Sequence, residues 1–165
     1  MSDPVLTFRE LLDYTAAETR RWEDHFRADP EALALPYAEG ATATVAGLVR
    51  HIFAVELRHT QRLSGRPVTG YEAVPEGPAD ALFAAGREAR ALLEGYLAGA
   101  TPEDLNAVLE FDTLSAGRQR ASKRKLAAHV LLHGVRHWAQ LASHLRAAGR
   151  PTAWGHDLLF SDALA

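Results

Sequence analysis

Apolar residues recur every three to four positions through four long stretches of this chain, and breaks rich in Pro and Gly separate the stretches. That period belongs to a helix with one buried face, so the spacing predicts a helical rather than a strand-built core. The first helix is expected over Pro4–Ala28, with Ser2-Asp3 as cap and Pro4 in its first turn. Val5, Leu12, Thr15, Trp22 and Phe26 mark its buried stripe, and Asp29-Pro30 stops it. Pro30–Gly40 reads as a loop. Thr42 or Thr44 caps the second helix, which runs to about Ser64 on Val45, Leu48, Val49, Ile52, Val55 and Leu63. Gly65, Pro67, Gly70, Pro75, Gly77 and Pro78 make the next stretch a crossing loop.

Pro78 and Asp80 open a third helix that Gly99 ends, and Thr101-Pro102-Glu103-Asp104 starts a further helical turn. Within Asn106–Arg120, Val108–Thr113 has strand character and Ser115-Ala116-Gly117 suits a turn, so a short hairpin is expected. Ser122 caps the longest helix, Lys123–Ala148, which Gly149 and Pro151 close. The tail, Trp154–Ala165, carries Trp154, Leu158, Leu159 and Phe160 and needs cover. With 165 residues, the chain reads as one domain over 1–165. The expected fold is all-α: an antiparallel four-helix bundle with a long crossover and a short C-terminal segment.

Composition narrows the chemistry. The chain has no cysteine, which excludes disulfides, thiolate catalysis, Cys-bound zinc and iron–sulfur clusters. Its net charge of −3 argues against nucleic acid and anionic membranes as partners. The N-terminus has acids at Asp3, Glu10 and Asp13 and no apolar core, and no run could span a bilayer, so the expected location is cytoplasmic. Five cations crowd Arg118, Arg120, Lys123, Arg124 and Lys125. They read as a solvated hairpin and helix entrance. Cations in a helix's first turn oppose its dipole and call for an acidic partner or a bound anion nearby.

Eight histidines remain. His129, His133 and His137 follow each other at four-residue steps and drift only about 40° per step, so they share one helix stripe, to which His144 returns. Two imidazoles at i and i+4 lie roughly 6 Å apart at Cβ, within reach of one metal ion. Either His129/His133 or His133/His137 could supply such a pair. A third ligand must come from another helix, and His51, His59, Glu56 and His25 are the candidates. The helical wheel slightly favours His59, which sits nearer the middle of its apolar arc than His51. A buried histidine with one satisfied hydrogen bond is the bland alternative for each. Arg136 and Gln140 flank the histidine stripe; each reads first as an ordinary face residue at the edge of the core, and either could orient a polar or anionic substrate. Glu56 suits a buried structural acid or a group behind the ligands.

The segment HVLLHGVRHWAQLASHLRAAGRP resembles the last long helix of the DinB/YfiT-like metalloprotein superfamily. TVAGLVRHIFAVELRHTQRLSG resembles that family's second helix, and GHDLLFSDALA is similar to its tails. The resemblance implies the bundle fold and a divalent metal on His51, His133 and His137. It thereby reverses the wheel's order of His51 and His59. Three neutral imidazoles leave open coordination positions, the pattern of a reactive rather than a structural metal. Zinc is the first choice, with nickel, iron and manganese open. The implied activity is a metal-dependent enzyme on a small molecule, of thiol S-transferase or hydrolase type, with a low-molecular-weight thiol among the candidate substrates. The alternative is a non-enzymatic metal- or ligand-binding or stress-response interaction bundle. No catalytic acid or base is assigned. Relatives commonly pair, so a homodimer is expected. The family often reads His-Arg-Gly-Gln where this chain has His137-Trp138-Ala139-Gln140, which alters the surface beside the ligands.

Overall fold

The computed structural model describes residues 6–164, and Ser2, Asp3, Pro4 and Val5 lie outside that range. Helix α1 spans Phe8–Ala28. Thr7 caps it in a reciprocal capping box: its hydroxyl accepts from the Glu10 amide, and the Glu10 carboxylate accepts from the Thr7 amide at 2.7 Å. The helix therefore begins at Phe8 and not at Pro4, because Thr7 with Glu10 satisfies two free amides at once. Helix α2 covers Val45–Leu63 with Thr44, not Thr42, as cap. Thr42 instead ends a 3₁₀ turn over Gly40–Thr42, and a second such turn, Pro30–Ala34, occupies the expected loop.

Helix α3 runs Ala79–Gly99, and the short α4, Pro102–Asn106, is capped by Thr101 as its sequence suggests. Strands β1 (Val108–Thr113) and β2 (Gly117–Ser122) pair antiparallel, with Val108 opposite Ser122 and Thr113 opposite Gly117. The first strand has the bounds that its sequence suggests, and the second runs two residues past Arg120 to the Ser122 cap. Gly117 supplies the left-handed backbone (φ +61°) that its tight turn requires. Helix α5, Lys123–Ala147, follows directly on the Ser122 cap. The described chain is mostly helical with one two-stranded sheet, so the hairpin qualifies the all-α expectation.

Helix α2 packs against both α3 and α5, and α1 packs against the same two helices. Between them Trp22, Phe26, Phe53, Phe83 and Trp138 form one apolar cluster, with the Trp22 and Trp138 rings stacked 5.1 Å apart. Each fully buried side chain of this size contributes about 1.5–3 kcal/mol. A second cluster joins Leu12, Leu63, Leu93, Leu126 and Val130 to Leu109 and Phe111 of β1, which anchors the hairpin beside α2 and α5. Gly86 admits the Phe53 ring, whose edge lies 2.4 Å from where a Cβ would stand.

The tail divides. Trp154 packs on the core and its indole N–H donates to the Glu18 carboxylate, which also accepts from Trp22 and pairs with His156. Leu159 and Phe160 instead remain 83% and 63% exposed, so the tail's apolar set is only partly covered by its own chain.

Candidate metal centre

His133 and His137 stand one turn apart on α5, and α2 brings His51 against them. One nitrogen from each lies within 4.8 Å of the other two. The ring centroids are 4.5 Å apart for His133 and His137, and 5.1 and 5.0 Å from His51 to each. The two α5 residues are buried and His51 is half-buried. Close approach of the helices depends on Gly134: a Cβ there would stand 2.7 Å from Glu56 Oε1 and 3.6 Å from Ile52 Cγ2.

Burial depresses all three basicities. It holds His51 down to about 4 and His133 down to about 2, with neighbouring imidazoles and Arg136 adding to the effect. His137 is lowered by burial too, and its hydrogen bond to Gln140 opposes the shift. Neutral imidazole is the metal-binding form, so all three are in that state at neutral pH. Gln140 Oε1 accepts the Nδ1 proton of His137 at 2.7 Å, which leaves the lone pair on Nε2. That Nε2 lies 3.2 Å from His133 Nε2, close to the roughly 3.3 Å between two nitrogens on a tetrahedral zinc ion. His133 Nδ1 is buried without a hydrogen-bond partner. Three converging neutral nitrogens of this kind fit a divalent cation and could hold one. The Arg136 guanidinium donates to the same His137 Nε2 at 3.2 Å, so an ion and Arg136 would compete for one lone pair.

The other candidates lie elsewhere. His59 is buried against the hairpin, 5.5 Å from the Phe111 ring and 5.3 Å from His129, outside the cluster. The wheel's preference for it reflects burial under β1. His129 is exposed, 5.2 Å from His133 but not a member of the cluster. His25 packs on Trp22 and Trp154, and His144 on Tyr37. Glu56 is buried behind the helix contact, and loss of solvent raises its carboxyl to about 7, with Arg90 pulling the other way. Gln140, an ordinary face residue in sequence terms that could also orient a substrate, fixes the His137 ring.

A cavity of about 610 Å³ opens beside His51 and His133, walled by α2, the start of α5 and the hairpin. Tyr71 lines it from the crossing loop, 6.4 Å from the His51 ring, and its buried hydroxyl has no partner. No periodic signal marks Tyr71, because it lies in a 3₁₀ turn, Tyr71–Ala73. The basic run divides as well. Lys123 pairs with Asp104 of α4, the acidic partner that its place in a first helical turn demands, and Arg118 and Arg120 pair with Glu110. Among the described residues no helix is long and apolar enough to cross a membrane.

None of the curated proteins compared with the chain matches it. The DinB family model, by contrast, matches residues 1–163, nearly the whole sequence. The chain belongs to the DinB family.

Proposed function

We propose that His51, His133 and His137 bind one divalent metal ion, zinc before nickel, iron or manganese, and that the protein is a metal-dependent enzyme acting on a small molecule. The observation that carries this reading is the convergence of three neutral imidazoles at the end of a cavity of ligand size. When bound, such an ion supplies Lewis-acid activation of water or of a low-molecular-weight thiol. The chain's own residues do the rest. Gln140 holds the His137 ring in one orientation. Phe111 and Leu126 exclude water from one side of the cavity, and the Tyr71 hydroxyl offers a hydrogen bond at the other.

The scaffold is read as an antiparallel four-helix bundle of α1, α2, α3 and α5 in a single domain, with the protein cytoplasmic and paired as a homodimer. A second, non-enzymatic reading draws on one observation: no Asp or Glu lines the cavity, so no carboxylate stands ready for acid–base work. Cobalt(II)-loaded protein titrated with a low-molecular-weight thiol separates the branches. A new near-ultraviolet absorption band supports the S-transferase type. An unchanged spectrum rejects it in favour of hydrolysis or simple metal binding.

A further inference from the structure

The cavity's charge is at odds with the molecule's. The chain carries a net charge of −3, yet Arg58, Arg62, Arg120, Lys125 and Arg136 line this one cavity and no carboxylate does. Of these, Arg120 has a carboxylate nearby, Glu110, at 3.7 Å. Arg58 and Arg62 sit one turn apart on α2, where like charges repel. Each is nonetheless held in place by neutral partners. Arg58 donates to the Thr69 carbonyl oxygen at 2.6 Å. Arg62 donates to the Asp112 carbonyl oxygen at 3.1 Å and lies over the Phe111 ring, 5.2 Å from its centroid. Neither makes an ion pair among the described residues, although the Asp112 carboxylate is near enough to act on Arg62; guanidiniums held in this way and half withdrawn from water are prepared for an anion.

The same α2 face carries His51, Val55, Arg58 and Arg62 into the cavity. Along the helix axis Arg58 and Arg62 lie roughly 10 and 16 Å beyond His51. Apolar surface from Val55, Phe111, Leu114 and Leu126 lies along the same cavity. A local arrangement that costs stability and is left unrelieved by the fold marks a ligand site. A concave wall of one sign also concentrates ligands of the other.

We propose that this cavity takes an elongated organic anion, with its carboxylate on the Arg58/Arg62 side, its apolar body against Phe111 and Leu126, and its far end at the histidine cluster. The last feature rests on the metal-centre reading; the anion seat does not. Isothermal titration with 4-phenylbutyrate, 4-phenylbutan-1-ol and 4-phenylbutylamine tests it on the full chain. The acid should bind at least tenfold more tightly than the alcohol, and the amine more weakly than either. Arg62→Gln should cost the acid about tenfold and leave the alcohol unchanged. Lys125→Gln, at an exposed residue that cannot unfold the hairpin, should cost the acid about threefold. Chelator-treated His133→Ala should bind the acid within twofold of wild type. Equal affinity for acid and alcohol, or indifference to both cation substitutions, overturns the proposal. Binding that vanishes with His133→Ala assigns the carboxylate to the metal, overturning the anion seat while sparing the metal reading. Failed metal uptake with intact acid binding does the reverse.

Discussion

Replacing Glu56 by Gln should stabilise the protein at pH 8 and do so much less at pH 5. Glu56 is enclosed by α3 and α5, beside a small cavity that it shares with Arg90, Leu93, Val130 and Leu131. Loss of solvent lifts its carboxyl from 4.5 to about 7, even with Arg90 favouring the ionised form. A raised acid binds its proton more tightly folded than unfolded. Well below pH 4.5 both states are protonated and nothing is lost. As pH rises from 4.5 through 7 the unfolded chain ionises first, and the native state is penalised progressively. The full shift corresponds to about 3 kcal/mol above pH 7, and to less than about 1 kcal/mol at pH 5. Gln keeps the shape and cannot ionise. Because it also removes a counter-charge from the largely buried Arg90, about 3 kcal/mol is an upper limit. Urea titrations of both proteins in chelator, at pH 5, 6, 7 and 8, read the difference directly, since the histidine titrations are common to both. A difference that does not grow with pH, or a wild type that is the more stable at pH 8, refutes the reasoning.

Gln140→Leu should weaken metal affinity about 10- to 100-fold by freeing the His137 ring, measured by competition with a chromophoric chelator; equal affinities would deny Gln140 that role. Gly86→Ala should lower stability, although Ala in place of a helical Gly ordinarily gains about 1 kcal/mol. The new methyl meets the fully buried Phe53 ring, overpacking costs about 1–3 kcal/mol, and calorimetry should show a melting temperature several degrees lower. Light scattering at micromolar concentration should give twice the 18.0 kDa chain mass, with the exposed Leu159 and Phe160 covered in the pair, and a monomer mass would reject the dimer.

Periodicity marked the long helices in the sequence, and Thr44 and Ser122 fixed the starts of α2 and α5 because each accepts a hydrogen bond from an otherwise free first-turn amide, as Thr101 does for the short α4. Helix α1 is the exception: Pro4 resembles a start, but the Thr7/Glu10 capping box lies inside it and sets the boundary. The pair His133/His137 was equally legible, since four residues along one helix is a local distance. Choosing His51 over His59 was not. The wheel places His59 nearer the middle of the α2 apolar arc and His51 at its edge, but burial of His59 depends on where β1 lays Phe111, a contact between residues 52 positions apart. The resemblance of the second helix supplied what periodicity lacked. The place of Tyr71, and the gathering of Arg58 and Arg62 with Arg120 and Lys125 on one wall, were not legible for the same reason. They become neighbours of the histidines only when the crossing loop and the hairpin close over α2. The position of Gln140 beside the stripe follows from spacing, but its bond to His137 Nδ1 depends on side-chain geometry that spacing does not encode.

Metal stoichiometry tests the central claim most directly. Chelator-stripped protein reloaded with zinc, passed through a desalting column and analysed for elemental content should carry one ion per chain. His133→Ala should carry none while keeping the helical circular dichroism of the wild type, and His59→Ala should keep one. Full zinc content in His133→Ala, or its loss in His59→Ala, would contradict the assignment of the site to His51, His133 and His137.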